Sequence, residues 1–273
     1  MGSIVPELPE VETVVRDLRQ ALVGQIVREV EIYWDGSVAT PCPDEFRAGL
    51  RGQRVLDVQR RGKFIVVGLQ RGHLLVHLRM TGQLLLTGAH ETCQGRHLRI
   101  ALTLDGKRLL FSDQRKFGRM YLVQDPAAVL AGLGPEPLEG GFTAERLARA
   151  AARRRVAIKS LLLDQRVLAG VGNIYADEAL HAAGIAPQRQ AGTLDPAEVT
   201  RLHAAIRAEL ERAIGNRGTT LSDYRDANGQ AGQHSAHLRV HGRAGEPCER
   251  CGCAVQRVRI GGRSSYYCPR CQR

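Results

Sequence analysis

Four of the seven cysteines form two closely spaced pairs near the end of the chain. Two residues separate the members of each pair and sixteen separate the pairs, in the order Cys248, Cys251, Cys268 and Cys271. This spacing is typical of a tetrahedral site in which two tight turns each supply two thiolates to zinc. Because four protein ligands leave no position for water, we predict one structural Zn²⁺ rather than a catalytic metal. The alternative interpretation is a cluster of free thiols without metal.

A proline and three carboxylates begin the first regular element, in the segment Pro6-Glu-Leu-Pro-Glu-Val-Glu12. Carboxylates in the first turn of a helix often do no more than balance the helix dipole, which is the default interpretation of this segment alone. Further chemistry-bearing residues lie at predicted strand ends, namely Lys63 and the groups at residues 77–82 and 112–118. Asn173 follows a glycine turn at a predicted helix start, where backbone N–H groups point towards an anion. These groups together indicate a site that handles an anionic substrate.

The elements that carry these residues change in type along the chain. A helix is predicted over residues 9–22 from apolar residues at three- and four-residue spacing. Short β-rich runs separated by turn residues follow at intervals of about ten residues, which predicts an antiparallel sandwich or barrel. The predicted strands are residues 26–33, 54–60, 64–69, 74–78, 83–86, 98–104, 108–112 and 119–122.

Helical periodicity replaces the strand pattern after the linker-like residues 132–137. The helices are predicted at residues 143–154, 157–164, 173–183 and 195–214, followed by an ordered loop over residues 215–245 and a β-hairpin over residues 254–267. The predicted fold class is therefore α+β, with three domains. These are an antiparallel β-sandwich with a leading helix (residues 1–131), a helical domain (residues 132–245) and a zinc finger (residues 246–273).

The charge balance predicts a polyanionic partner. The 273 residues include 39 Lys and Arg against 28 Asp and Glu, a net charge of +11. A GC-rich genome would explain why almost all of the cations are arginine, but it does not explain the surplus of positive charge. Arginine suits bidentate phosphate recognition. No run reaches the ~18–20 apolar residues of a membrane span, and the acidic start lacks a basic signal-peptide region, so we expect a cytoplasmic protein without a membrane partner.

Taken together, the motifs resemble those of the formamidopyrimidine-DNA glycosylases, bacterial repair enzymes for 8-oxoguanine and ring-opened purines. The resemblance extends from Pro6 to the C-terminus. It rests on the Pro-Glu-Leu-Pro-Glu-Val-Glu segment, on Gly-Val-Gly-Asn-Ile-Tyr-Ala as a helix-two-turn-helix motif, and on the four-cysteine finger. It implies a monomeric enzyme that removes oxidised purines from double-stranded DNA and cleaves the abasic site by β,δ-elimination. Endonuclease VIII is less similar, since its chains typically begin Pro-Glu-Gly-Pro.

The resemblance also implies roles for individual residues. Pro6 is the expected nucleophile, because a terminal proline is a secondary amine that can form an iminium with deoxyribose. Glu7 is expected to move protons during base loss and sugar opening. Lys63 is expected to act as an acid in β-elimination and to hold a phosphate, and Arg263 to assist δ-elimination.

A second set of residues is expected to contact DNA. Because the target base leaves the stack, the gap must be filled; Met80, Arg115 and Phe117 match the family's void-filling residues, with Arg115 facing the orphaned cytosine. Met and Phe are also common core residues, but here each lies beside glycine and charge, which favours a loop tip. The segment after residues 219–221 resembles only loosely the family's loop over the everted base. The predicted backbone contacts are His97, Arg154, Lys159 and Asn173.

The sequence departs from the family pattern before Pro6. Residues 1–5, Met-Gly-Ser-Ile-Val, precede Pro6, and a proline acylated by Val5 has no basic nitrogen. Translation from a GTG codon at Val5, an expression-derived extension, or a non-catalytic damaged-DNA-binding protein on the same scaffold would each explain these residues. We favour initiation at Val5. A zinc-finger transcription factor would explain the tail and the charge but not Glu7 or Lys63.

Overall fold

The computed structural model describes residues 5–88 and 95–273, and the protein divides into two compact units. Residues 216–233, predicted to belong to the helical domain, belong in the structure to the first unit. The division into three domains stays a prediction. The first unit combines Met1–Ala131 with Asn216–Gln233, and the second combines Gly132–Gly215 with His234–Arg273.

Helix α1 (Leu8–Leu22) leads the first unit, close to its predicted bounds. Apolar residues at three- and four-residue spacing, among them Val11, Val14 and Leu18, form one fully buried face. Glu7 and Glu10 form a capping box at the amino end, which satisfies backbone N–H groups that a helix start leaves unpaired. The helix packs on strand β3, so its capped start is held against the sheet.

Two sheets share one core in the first unit, as the prediction of an antiparallel sandwich requires. One sheet has the order β1-β7-β8-β6 and the other β2-β9-β5-β4-β3, and every pairing is antiparallel except that of β2 with β9. Three elements were not predicted from the sequence: β2, helix α2 (Pro43–Leu50) and helix α3 (Ala127–Leu130). The nine strands of the described first unit are β1 (Glu29–Ile32), β2 (Val38–Thr40), β3 (Val55–Arg61), β4 (Phe64–Leu69), β5 (His73–His77), β6 (Gly82–Gly88), β7 (Leu98–Thr103), β8 (Lys107–Asp113) and β9 (Arg119–Val123).

Hydrogen bonds explain why residues 216–233 belong to the first unit. The Thr219 amide donates to Glu10 Oε1 at 2.7 Å, and the Leu86 amide donates to the Ala227 carbonyl at 2.8 Å. These bonds attach the segment to α1 and to β6. Its partners lie more than a hundred residues away in sequence, so local periodicity carries no information about them.

The second unit contains the helices and the terminal hairpin. Helix α6 begins and ends where the sequence predicts, and nearly all of its residues are buried against α5, α7 and β11. Among the described residues, no helix is long and apolar enough to cross a membrane. The elements are α4 (Ala144–Ala151), α5 (Ile158–Leu163), α6 (Asn173–Ala183), α7 (Pro196–Gly215), β10 (Gln256–Ile260) and β11 (Arg263–Tyr267).

Two glycines of the segment 216–233 provide a test of its contact with α1. Gly218 has a φ of +79°, and a Cβ there would lie 2.9 Å from Glu10 Oε1, whereas Gly229 has a φ of +78° and open space around it. We expect Gly229→Ala to cost about 1–2 kcal/mol from left-handed backbone strain alone. Gly218→Ala should cost at least ~1 kcal/mol more, because Glu10 must move and lose a hydrogen bond. Urea denaturation of both variants measures the difference, and equal losses would show that Glu10 does not constrain this segment.

Candidate active site and nucleic-acid interface

The start of α1 places Pro6 and Glu7 in a fixed position. The Glu7 amide donates to Glu10 Oε2 at 2.8 Å, and the other oxygen of the same carboxylate accepts the Thr219 amide. Glu7 is only 2% exposed. One buried carboxylate therefore joins the residue after Pro6 to the returning segment 216–233. Of the five residues that precede Pro6, residues 1–4 lie outside the described residues.

A small cleft borders Pro6 on the side of the returning segment. Its cavity volume is only ≈ 10 Å³. Tyr224 closes one side and donates its hydroxyl to the carbonyls of Glu10 and Arg217, both at 3.3 Å. Burial raises the pKa of Tyr224, so the phenol remains a hydrogen-bond donor at neutral pH. The cleft is lined by Val5, Pro6, Glu10, Thr219, Leu221, Ser222 and Tyr224.

Lys63 lies on the turn between β3 and β4. Arg60, at the end of β3, donates to Glu12 of α1 at 3.0 Å and so holds this turn against the helix that begins with the predicted nucleophile. Burial alone would raise the pKa of Glu12, but its bonds to Arg16 and Arg60 lower that pKa overall. The Arg60–Glu12 bond therefore attaches the strand that precedes Lys63 to the helix that follows Pro6 and Glu7.

The predicted void-filling residues lie on two turns at one end of a sheet. Met80 lies between β5 and β6, while Arg115 and Phe117 lie between β8 and β9; β6 and β8 pair directly, with Gly82 opposite Asp113. Phe117 is 46% exposed, and the Arg115 guanidinium lies 5.0 Å from the centre of its ring. Met80 is half-buried. A core role for Phe117 is therefore wrong.

Two basic residues predicted to hold phosphate have side chains that reach solvent. His97 is half-buried at the start of β7, and its carbonyl accepts the Asp113 amide at 2.9 Å. Arg154 is exposed in the turn between α4 and α5. Contacts of either side chain with DNA stay predictions, although their exposure is compatible with them.

The position of Lys159 contradicts its predicted contact with the DNA backbone. Its side chain is 0% exposed and its Nζ lies 2.6 Å from Asp177 Oδ1, while the other Asp177 oxygen contacts His241 Nδ1 at 2.8 Å. A fully buried, ion-paired ammonium cannot reach a phosphate, so the predicted backbone contact of Lys159 is wrong. Asp177 was not predicted, although an acidic residue in a helix as apolar as α6 requires a buried partner.

Lys159 and Asn173 share one acceptor. Lys159 Nζ donates to the Ser264 carbonyl at 3.2 Å, and Asn173 Nδ2 donates to the same oxygen at 3.0 Å. Asn173 Oδ1 is buried without a hydrogen-bond partner among the described residues. Ser264 follows Arg263, which is exposed at the start of β11. The helix start that carries Asn173 thus fixes the backbone beside the predicted δ-elimination residue.

The four predicted cysteine ligands lie together in the second unit. Their sulfurs all lie within 4.8 Å of one another, with Cys251 and Cys268 at 3.5 Å and Cys248 and Cys271 at 3.9 Å. A tetrahedral site with Zn–S bonds of about 2.3 Å separates its sulfurs by about 3.8 Å. Burial and the neighbouring thiols raise the pKa of Cys271 to about 12, so four thiolates require a cation to coexist. The residues therefore fit one structural Zn²⁺.

Cys253 lies outside this group of ligands. Its carbonyl accepts the Cys248 amide at 2.9 Å, so its backbone helps to form the first of the two turns. The structure gives its backbone a place in the turn and leaves its thiol apart from the four ligands.

Three family models match the chain along most of its length. They are the formamidopyrimidine-DNA glycosylase N-terminal domain over residues 5–120, the formamidopyrimidine-DNA glycosylase H2TH domain over residues 133–225, and the zinc finger found in FPG and IleRS over residues 245–273. A formamidopyrimidine-DNA glycosylase of Pelotomaculum thermopropionicum is 47% identical, over 98% of this chain and 99% of the relative.

Solved structures show the same fold. The MutM (FPG) protein of Thermus thermophilus superimposes with a TM-score of 0.89 at 41% identity, covering 98% of each chain. A mutant of the Lactococcus lactis FPG protein, in complex with DNA containing Fapy-dG, superimposes with a TM-score of 0.92 at 32% identity, covering 98% of this chain and 100% of that one.

The buried ion pair predicts a large effect of removing the Lys159 charge. We expect Lys159→Met to lower the free energy of unfolding by about 3–5 kcal/mol, because the buried Asp177 carboxylate loses its cation. Lys107→Met, at an exposed lysine, should change it by no more than about 0.5 kcal/mol. Urea denaturation measures both values. Similar stabilities for the two variants would contradict a structural role for Lys159.

The cysteine cluster predicts one tightly bound zinc ion per chain. We expect elemental analysis of the purified protein to give one equivalent of zinc, and Cys268→Ser to lose it, because this buried ligand completes the tetrahedron. Cys42→Ser, at an exposed cysteine outside the cluster, should keep the metal. Chelation should lower the melting temperature of the wild-type protein and leave that of Cys268→Ser unchanged. Zinc retained by Cys268→Ser would overturn the assignment.

Proposed function

The chain belongs to the formamidopyrimidine-DNA glycosylase family, and from this premise we propose which of its residues perform each chemical step. The protein is a DNA glycosylase for oxidised purines and a lyase for the abasic site that base removal leaves. The observation that carries the residue assignment is the position of Pro6. It lies at the start of a capped helix and on the wall of a cleft.

Pro6 is the nucleophile of the proposed reaction. A proline nitrogen at a chain terminus is a secondary amine, and its lone pair can attack C1′ of the damaged nucleotide. The N–C1′ bond forms as the glycosidic bond breaks, and the bonding pair leaves with the base. The family match begins at residue 5, so Pro6 is the second matched residue. The reaction requires Pro6 without Val5 attached, because an amide nitrogen has no basic lone pair.

Glu7 is the proposed proton carrier. Its carboxylate belongs to the residue next to the nucleophile and is nearly excluded from solvent, so a proton held there passes to the substrate rather than to bulk water. The bond from the Glu7 amide to Glu10 fixes its backbone. This rigidity supports proton delivery within the short distance that general acid–base catalysis requires.

Strand cleavage is assigned to two further residues. Lys63, on the turn held to α1 by Arg60 and Glu12, is the proposed acid for β-elimination and a contact for the adjacent phosphate. Arg263 is the proposed δ-elimination residue; its exposure at the start of β11 and the fixed carbonyl of Ser264 support this role.

DNA binding combines phosphate contacts with filling of the emptied site. The surplus of arginine supplies counter-charge to phosphate, and we assign backbone contacts to His97, Arg154 and Asn173. Met80, Arg115 and Phe117 are proposed to enter the gap left by the everted base. The resemblance to the family implies action as a monomer. Because the substrate is chromosomal DNA, we expect the protein to act at the nucleoid in the cytoplasm.

Two forms of the protein test the nucleophile. One begins at Pro6 and the other retains residues 1–5, with each N-terminus verified by intact mass. Borohydride reduction on a duplex with 8-oxoguanine should trap a covalent adduct with the first form only, because only its proline nitrogen is an amine. Denaturing electrophoresis measures the adduct and the cleaved strand.

The same two forms of the protein distinguish an enzyme from a non-catalytic damaged-DNA-binding protein with the same fold. If the form beginning at Pro6 binds the lesion duplex but neither traps nor cleaves it, the protein is a damage binder and the enzymatic assignment is wrong. Equal trapping by both forms would show that Pro6 is not the nucleophile, while leaving the glycosylase activity established.

A further inference from the structure

One buried carboxylate holds together the two turns that carry the proposed void-filling residues. We call Met80, Arg115 and Phe117 the wedge. Asp113, the last residue of β8, is fully buried and lies between the turn that bears Met80 and the turn that bears the other two. No step of the proposed chemistry uses it.

Both oxygens of Asp113 accept hydrogen bonds, and the donors come from both turns. Oδ1 accepts the Thr81 hydroxyl at 2.5 Å and the Arg115 amide at 3.2 Å, and Oδ2 accepts the Gly118 amide at 2.7 Å. The Thr81 oxygen in turn accepts the Arg115 amide at 3.1 Å. Thr81, which follows Met80, is therefore joined through Asp113 to Arg115 and Gly118, which lie before and after Phe117 in the second turn.

The turns are held in conformations that an isolated chain would disfavour. Arg79 and Lys116, one in each turn, have φ values of 56° and 61°. Such left-handed backbone at non-glycine residues persists only where surrounding contacts impose it. A Cβ at Gly118 would lie 2.4 Å from the Phe111 ring and 3.2 Å from Asp113 Oδ2, so the second turn is also closely packed.

A further bond fixes the first turn. The Arg79 amide donates to His77 Nδ1 at 3.0 Å, which requires an unprotonated ring nitrogen. Burial, together with the charges of Arg79 and Lys63, lowers the pKa of His77 to about 3, so the ring is neutral at physiological pH. The Met80 turn is thus anchored at both sides, by His77 before it and by Asp113 through Thr81 after it.

We propose that Asp113 is a positioning residue that holds Met80, Arg115 and Phe117 as a single pre-formed wedge. The proposal rests on the proposed function, since it concerns residues assigned to fill the gap in the DNA. The ordering of two loops would otherwise oppose DNA binding; when folding has already ordered them, that loss is avoided. A fixed Arg115 backbone also places its guanidinium accurately enough to discriminate the opposite base.

The chemistry of the site requires a carboxylate rather than an amide. All three groups that contact the Asp113 side chain are donors, and a carboxylate is the acceptor-only side chain of this size. In Asp113→Asn, either orientation of the amide turns an NH₂ towards a donor, although volume and shape are conserved. The loss of a negative charge would by itself strengthen binding to polyanionic DNA. A loss of specificity in this variant therefore cannot be attributed to charge.

The principal experiment compares Asp113→Asn with wild type in the form that begins at Pro6. We expect kcat/KM on a duplex with 8-oxoguanine opposite cytosine to fall about tenfold, as for the loss of a hydrogen bond to a charged group. The preference for cytosine over adenine opposite the lesion should fall with it, and affinity for undamaged duplex should stay equal or rise. Asp125→Asn is the matched control, because this exposed carboxylate also accepts a backbone amide, that of Ala127, away from the wedge.

Binding provides a readout that does not depend on catalysis. Trp34 is the only tryptophan, and Lys116 Nζ lies 5.2 Å from its ring, so its fluorescence reports on the wedge turn. Titration with a duplex containing a tetrahydrofuran abasic analogue, opposite cytosine or adenine, should show a weaker cytosine preference and a smaller emission change for Asp113→Asn. If wild type binds with this preference but does not cleave, the proposed enzymatic function fails and the Asp113 proposal is still tested.

Variants of Thr81 provide a second, independent test of the Asp113 proposal. Thr81→Val removes the hydroxyl without changing the shape, whereas Thr81→Ser retains it; the first should weaken the cytosine preference and the second should restore most of it. The two Thr81 variants test the proposal if Asp113→Asn does not fold. A folded Asp113→Asn variant with wild-type preference and wild-type kcat/KM would overturn the proposal, as would equal behaviour of the two Thr81 variants.

Discussion

The carboxylate of Glu10 is the interaction on which the proposed chemistry depends. It accepts the amide of Glu7 with one oxygen and the amide of Thr219 with the other, so the start of α1 and the returning segment 216–233 share one anchor. A charge this deeply buried is stable only when several donors surround it. The site at Pro6 is therefore assembled by the fold before substrate arrives.

Buried carboxylate acceptors recur elsewhere in both units. Asp113 joins the two turns of the wedge, and Glu178 accepts three consecutive amides from residues 239–241. Burial raises the pKa of Glu178 even though these bonds favour its charged form. In both cases a buried acid is satisfied by backbone amides. A protein with a net charge of +11 thus keeps acidic groups where they shape loops, and exposes arginines such as Arg115, Arg154 and Arg263.

Lys159 illustrates how a residue type misleads when its surroundings are unknown. A lysine near a basic run in a DNA-binding domain is reasonably predicted to contact phosphate. In the structure it neutralises Asp177 and holds the Ser264 carbonyl, 105 residues away in sequence. The positive charge serves the interior of the second unit and holds the backbone beside Arg263 through the Ser264 carbonyl.

Features that depend on near neighbours could be predicted from the amino-acid order. The four cysteine ligands, the bounds of α6, the terminal hairpin and the loop-tip position of Phe117 all follow from spacing, periodicity and turn residues within a few positions. Three other features emerged only from the folded chain: residues 216–233 return to α1, β2 pairs parallel with β9, and Asp113 and Lys159 serve as buried anchors. None of the three could be predicted, because each depends on contacts with residues that folding brings from distant positions in the chain. No local pattern of residues records which partners those are.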